Sequence, residues 1–221
     1  MLTPEETLDT LKGSVPALYE VAVRLLGPDA RLDATSGALC LARKPRIGSE
    51  AYAVRVYPGI DNALISSYEK IHRCHIADSY RCLLEFMNGA HLFEIRLFGV
   101  PPLMARSPPQ LDRTTAWPLD VGTAQEDWRL DYDTSPTDFF IGYGPYSKDE
   151  NVGYFLWPNG GIEALRKNGD GFGQWSDFQH FLAEELARAE AVYPDFENAM
   201  GRIQRKDSGW HSWLRRISRI V

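Results

Sequence analysis

His72, Cys74, His75, Cys82 and His91 lie close together and are the side chains best suited to chemistry, since imidazole and thiolate groups are the usual ligands of zinc. Their spacing, His-x-Cys-His-x6-Cys, lacks the paired C-x2-C of common structural sites, and Cys82 falls within the helical run that contains Leu83 and Phe86. Asp131-Tyr-Asp133 offers two hard oxygen ligands to a divalent cation, but it leads straight into Ser135-Pro136 and reads as a polar turn. Ser67-Tyr-Glu-Lys70 matches the S-x-x-K of serine-lysine acyl enzymes without the S-D-N or K-T-G that should accompany it, and reads as a solvated helix face. Gly142-Tyr-Gly144 and Gly169-Asp-Gly-Phe-Gly173 lack the Lys-Ser/Thr of a phosphate-binding loop and the dinucleotide spacing, and read as turns. The chain contains no G-x-S-x-G, no H-E-x-x-H and no deaminase H-x-E with P-C-x-x-C. The expectation is a protein that binds rather than catalyses, with no catalytic residues, no cofactor and no metal.

The charge is informative about what it binds. The chain carries 24 basic and 30 acidic residues, a net charge of −6, which disfavours nucleic acid and favours a basic partner. The excess is concentrated between Leu111 and Glu150, where Asp112, Asp120, Glu126, Asp127, Asp131, Asp133, Asp138, Asp149 and Glu150 face only Arg113, Arg129 and Lys148. From Gly201 to Val221 the sign reverses, with six arginines and lysines against Asp207. Cys40, Cys74 and Cys82 are an odd and low cysteine count that suits a reducing compartment. The N-terminus lacks a basic region followed by an apolar run, and no apolar stretch approaches the roughly 20 residues of a membrane span, so a soluble cytoplasmic protein is expected.

The elements that must position these residues are legible in outline. Thr3-Pro4-Glu5-Glu6 is a capped helix start, and apolar residues then recur from Leu8 to Leu25, with a break expected near Gly13-Ser14 because of Pro16. Ala38–Ala42 and Ala51–Val56 read as a two-stranded hairpin, Ile60–Arg73 as a helix, and Tyr80–Pro102 as a helix, a turn forced by Asn88-Gly89, and a strand. A short helix is expected near Val121–Leu130. Strands follow at Phe139–Tyr143, Tyr154–Trp157 and Gly161–Leu165, the last two joined at Asn159-Gly160, and a helix at Trp175–Val192.

The order of these pieces resembles the SUKH superfamily, which includes the Smi/Knr-type fungal cell-wall regulators. The resemblance rests on Ile65–Lys70 with Glu69, Ile76–Tyr80, Leu84-Glu-Phe-Met-Asn-Gly89, Phe98-Gly-Val-Pro101, the hairpin at Asn159-Gly160, and Trp175-Ser-Asp-Phe178. It covers residues from about Ile60 to Val192. Family members usually carry a proline shortly before the tyrosine that opens the helix. Ala77-Asp78 stands there in this chain, with Asp78 or Ser79 available to cap. The resemblance implies an α+β domain with a mixed, largely antiparallel sheet wrapped by helices. It also implies a non-enzymatic protein, in bacteria typically an immunity protein that neutralises a secreted toxin, often a nuclease or deaminase. A regulatory or scaffold adaptor is the alternative, and a hydrolase a third.

The resulting division is an N-terminal helix and hairpin extension at 1–59, the SUKH-like core at 60–193, and a C-terminal basic amphipathic helix at 194–221. In that last segment Trp210, Trp213, Leu214, Ile217 and Val221 share a helical face, which would pack on the core, on a partner or on a membrane. The expected partner site is the acidic stretch with its aromatic anchors: Glu126, Asp127, Trp128, Asp131, Asp133, Tyr143, Tyr146 and Asp149.

Overall fold

Thr3 caps the first helix: its hydroxyl accepts from the Glu6 N–H while the Glu6 carboxylate accepts from the Thr3 N–H. The helical run then breaks as its prolines dictate, into α1 (Pro4–Asp9), α2 (Leu11–Ser14) and α3 (Pro16–Leu25). The computed structural model describes residues 3–45, 47, 50–102, 116–135, 137–147 and 150–193. The predicted C-terminal helix, Asp112 and Asp149 lie outside these residues.

The fold is α+β. Among the described residues, nine strands form an antiparallel sheet whose spatial order is the order of the chain: β1 (Arg31–Leu32), β2 (Leu39–Arg43), β3 (Tyr52–Pro58), β4 (Met87–Leu92), β5 (Ile95–Leu97), β6 (Phe139–Ser147), β7 (Glu150–Leu156), β8 (Ile162–Leu165) and β9 (Gly171–Trp175). A parallel bridge joins Gly99 to Asp120. Between β3 and β4 lie α4 (Asn62–His72) and α5 (Asp78–Phe86). Between β5 and β6 come α6 (Val121–Glu126) and a 3-10 turn, Trp128–Asp131. The last helix among the described residues, α7, covers 178–193.

Register sorts the sheet into two faces, because directly opposed residues share a side. One row, Leu39–Val56–Ala90–Leu97–Gly142–Tyr154, is apolar and meets α7, where Phe181 packs edge-on to Tyr154 at 4.8 Å between ring centroids. The opposite row, Arg31–Cys40–Arg55–His91–Arg96–Tyr143, carries the charge. A continuous hydrophobic cluster runs from Leu8 and Leu18 through the sheet to Phe181 and Ala189, so residues before and after Ile60 share one core.

A buried polar group pins α7 to this sheet. Glu185, 2 % exposed, accepts from the Tyr154 hydroxyl and from Arg188 Nε at 2.7 Å, and Arg188 Nη1 donates to the Pro145 carbonyl at 2.9 Å. The charges are paired and hydrogen-bonded, as burial requires.

Four expectations are corrected. Gly142-Tyr-Gly144 is not a turn but lies within β6, where Gly142 faces the Arg96 carbonyl too closely for a side chain. Asn88-Gly89 is not a turn: α5 passes directly into β4, and both residues sit inside that strand. Gly89 has φ +79°, and a Cβ there would lie 2.8 Å from the carbonyl oxygens of Leu97 and Phe98, so glycine serves close strand approach. The reversal falls instead at Phe93-Glu94, with Phe93 at φ 57°. Neither Asp78 nor Ser79 caps α5: Ala77 occupies the cap position without a side-chain bond, and Asp78 lies in the first turn, where its charge suits the helix dipole. Gly169–Gly173 is not a turn throughout, and the helix expected from Trp175 starts later. Gly169 closes a turn at φ +82° and Gly171–Trp175 forms β9, so the helix begins three residues beyond Trp175.

Candidate functional site

The acidic stretch is organised by α6. Asp120 caps this helix, its Oδ1 accepting from Gly122 N–H at 2.8 Å and Thr123 N–H at 3.2 Å, and the Tyr68 hydroxyl of α4 donates to the same oxygen. Gln125 fastens the other end to β6: its Nε2 donates to the Phe140 carbonyl at 2.7 Å and its Oε1 accepts from the Phe140 N–H at 3.1 Å. With both ends held, the following turn lays Trp128 and Tyr132 over the sheet.

There they enclose a cleft of about 270 Å³ lined by Trp128, Asp131, Tyr132, Phe140, Tyr143, Asn151 and Lys167. Phe140 is buried and forms the floor. The Tyr132 ring sits 5.3 Å from Phe140 and 5.4 Å from Phe155, while Trp128 and Tyr143 lie 5.5 and 6.0 Å from Phe98. Burial and the neighbouring Asp131 push the Tyr132 hydroxyl up to about 12, so it stays protonated. At the rim, Lys167 Nζ donates to Asp131 Oδ2 at 2.6 Å.

Of the eight residues singled out in the sequence, Trp128, Asp131 and Tyr143 meet at this cleft. Glu126, Asp127 and Asp133 are exposed on the same stretch but do not line it. Tyr146 belongs to a neighbouring cluster, 3.8 Å from Phe172 and with the Arg166 guanidinium 5.2 Å away. Tyr132, Phe140, Asn151 and Lys167 were not anticipated. The alternation of β6 would have flagged Phe140 with Tyr143 only if the bulge between Phe140 and Gly142 had been visible.

A second, larger cleft of about 820 Å³ opens between the start of α5 and the β7–β8 turn, with Cys74, His75, Ser79, Arg129, Asp138 and Trp157 among its walls. Its chemistry is muted. Burial, followed by the charge of Glu69, raises the Cys74 thiol above its ordinary value, which works against the thiolate a nucleophile requires. Glu69 is already engaged: it accepts from the Ile76 N–H at 2.7 Å, pairs with Arg81 and lies 3.5 Å from His75 Nδ1. Among the described residues, no three His, Cys, Asp or Glu side chains converge as a metal site. Cys82 is exposed on α5, whereas His91 is buried in β4. The Ser67 hydroxyl donates to the Ala63 carbonyl at 2.8 Å, the back-bond of a helix-surface serine. Asp131 and Asp133 point to separate partners, the first to Lys167 and the second against Gly169. No described helix is long and apolar enough to cross a membrane.

No protein-family model and no curated protein matches the chain.

Proposed function

We propose that the chain is a non-catalytic protein-binding domain of SUKH type, a cytoplasmic immunity protein that binds and neutralises a basic bacterial toxin of nuclease or deaminase class. The observation that carries this reading is an aromatic cleft set beside an exposed acidic stretch. Trp128, Tyr132 and Tyr143 are half-buried around one depression, and the exposed carboxylates of Glu126, Asp127, Asp131 and Asp133 stand beside it. Half-buried aromatics supply the energy of protein interfaces, while surrounding charges steer encounter and exclude wrong partners. A toxin that acts on a polyanion carries the complementary basic surface. The protonated Cys74 thiol in the larger cleft further supports binding over catalysis.

The test is coexpression with the toxin encoded beside the gene. Growth rescue, together with a stoichiometric complex on size exclusion, is expected. Reversing Glu126, Asp127, Asp131 and Asp133 to lysine should lower the association rate and its salt dependence. A toxin that kills equally with and without this chain would remove the reading and favour the regulatory adaptor, whereas a complex indifferent to the four reversals would move the interface away from the acidic stretch.

A further inference from the structure

We infer that the 270 Å³ cleft is a receptor for a guanidinium group, the side chain of an arginine presented by the partner, and that Lys167 is a resident cation standing in for it. This inference rests on the protein-binding reading above and specifies the chemistry of that site.

The cleft is suited to a cation. Phe140, buried and stacked on Phe155, closes its base, while the half-buried Tyr132, Trp128 and Tyr143 around it are the rings a cation can reach, and ring faces attract cations. Their planes are held in advance by contact with Phe98 and Phe155 in the core, so little ordering is required on binding. Gly153 makes this arrangement possible: a Cβ there would come 2.9 Å from Tyr132 Cζ and 2.8 Å from the Phe155 ring. Asp131 supplies a carboxylate at the mouth, and Asn151 a carboxamide. The volume lies below the roughly 300–1,000 Å³ of small-molecule sites and suits one side chain.

Lys167 shows where the cation belongs. Its ammonium is bonded to Asp131, yet the two side chains are 63 % and 59 % exposed, so the pair is a weak one. A guanidinium offers what an ammonium lacks: two parallel donors for the carboxylate and a plane that stacks on the rings. An incoming arginine therefore displaces Lys167 from Asp131 and gains ring contacts that Lys167, at the exposed rim, does not make.

The experiment is calorimetric and NMR titration of the full chain with triarginine and trilysine amides at about 0.15 M salt. Triarginine is expected to bind more tightly than trilysine and to shift the indole N–H of Trp128, assigned through Trp128→Phe. Asp131→Asn should weaken triarginine roughly tenfold. Lys167→Ala should strengthen it roughly two- to fivefold, because a competing cation is gone. Equal binding of the two peptides, or indifference to both Asp131→Asn and Lys167→Ala, would overturn the inference. Both substitutions are at exposed positions, so the fold is preserved. A tight toxin complex unaffected by these two changes would defeat the arginine receptor and leave the immunity reading standing. Arginine-selective binding with no toxin complex would do the reverse.

Discussion

Asn88 holds Val100 by both ends of its carboxamide. Its Oδ1 accepts from the Val100 N–H at 2.7 Å and its Nδ2 donates to the Val100 carbonyl at 2.8 Å, so a side chain takes the place of a neighbouring strand just where β5 has ended. Each buried backbone group left unpaired costs about 1–3 kcal/mol. Asn88→Ala should therefore lower stability by about 3 kcal/mol, read as a shifted urea midpoint with an unchanged slope. An unshifted midpoint would mean water replaces the amide without loss.

Gly89→Val should abolish the folded state rather than selectively impair binding. The residue combines φ +79° with backbone oxygens 2.8 Å from where a side chain would begin, and a β-branched residue tolerates neither. Circular dichroism and soluble yield would report it. A folded but non-binding Gly89→Val would place the interface on β4.

Buried Glu185 and half-buried Arg188 form an ion pair whose two halves depend on each other. Glu185→Ala leaves the Tyr154 hydroxyl and Arg188 without their acceptor, and should cost about 1–3 kcal/mol. Replacing both with Leu and Met should recover most of that loss, because the desolvation penalty disappears with the charges. Thermal unfolding of the single and double variants separates the two cases.

His91 makes stability fall on mild acidification. It is buried against the Tyr57 ring, with its Nε2 unpartnered, and Arg55 and Arg96 oppose it on the two adjoining strands. Burial, then Arg96 and Arg55, holds its pKa well below the ordinary 6.5. The folded protein thus binds fewer protons than the unfolded chain once the pH drops under 6.5. The stability contributed is present above that value and is lost progressively below it. The lowered carboxyls of Glu69 and Asp33 act in the same direction only below their ordinary 4.5 and 3.8. His91→Phe keeps a ring against Tyr57 and should flatten the decline between pH 6.5 and about 5. Parallel stability profiles for the two proteins would refute the assignment.

Helix starts and isolated hairpins were legible in the sequence because their signals are local. The Thr3 box, the proline break before α3, the β2–β3 pair and the Asn159-Gly160 turn all depend on a few adjacent residues. Asn88-Gly89 misled for the opposite reason: the dipeptide is a turn signal, but here tertiary contact with Leu97 and Phe98 decides its geometry. The same holds for the cleft. Trp128, Asp131 and Tyr143 could be named from composition, whereas Lys167 arrives only through the β8–β9 hairpin, whose glycine-rich strand lacks the apolar alternation that marks strands. Glu185 resembles any helical glutamate until α7 is docked on Tyr154.

A sheet whose strands succeed one another in space as they do along the chain can be assembled in the order of synthesis. Each strand that emerges finds its neighbour already waiting, and short loops are closed before long ones. The exceptions are the contacts of α7 with the opening helices, Gln179 Nε2 to the Ser14 carbonyl at 2.6 Å and Arg24 to Glu190 at 2.6 Å, which span most of the chain. These close the structure last. Until α7 docks, the part of the sheet's apolar side around Tyr154, which α1 and α3 do not reach, stands uncovered, which makes the arrival of 178–193 the point of greatest exposure to aggregation during translation.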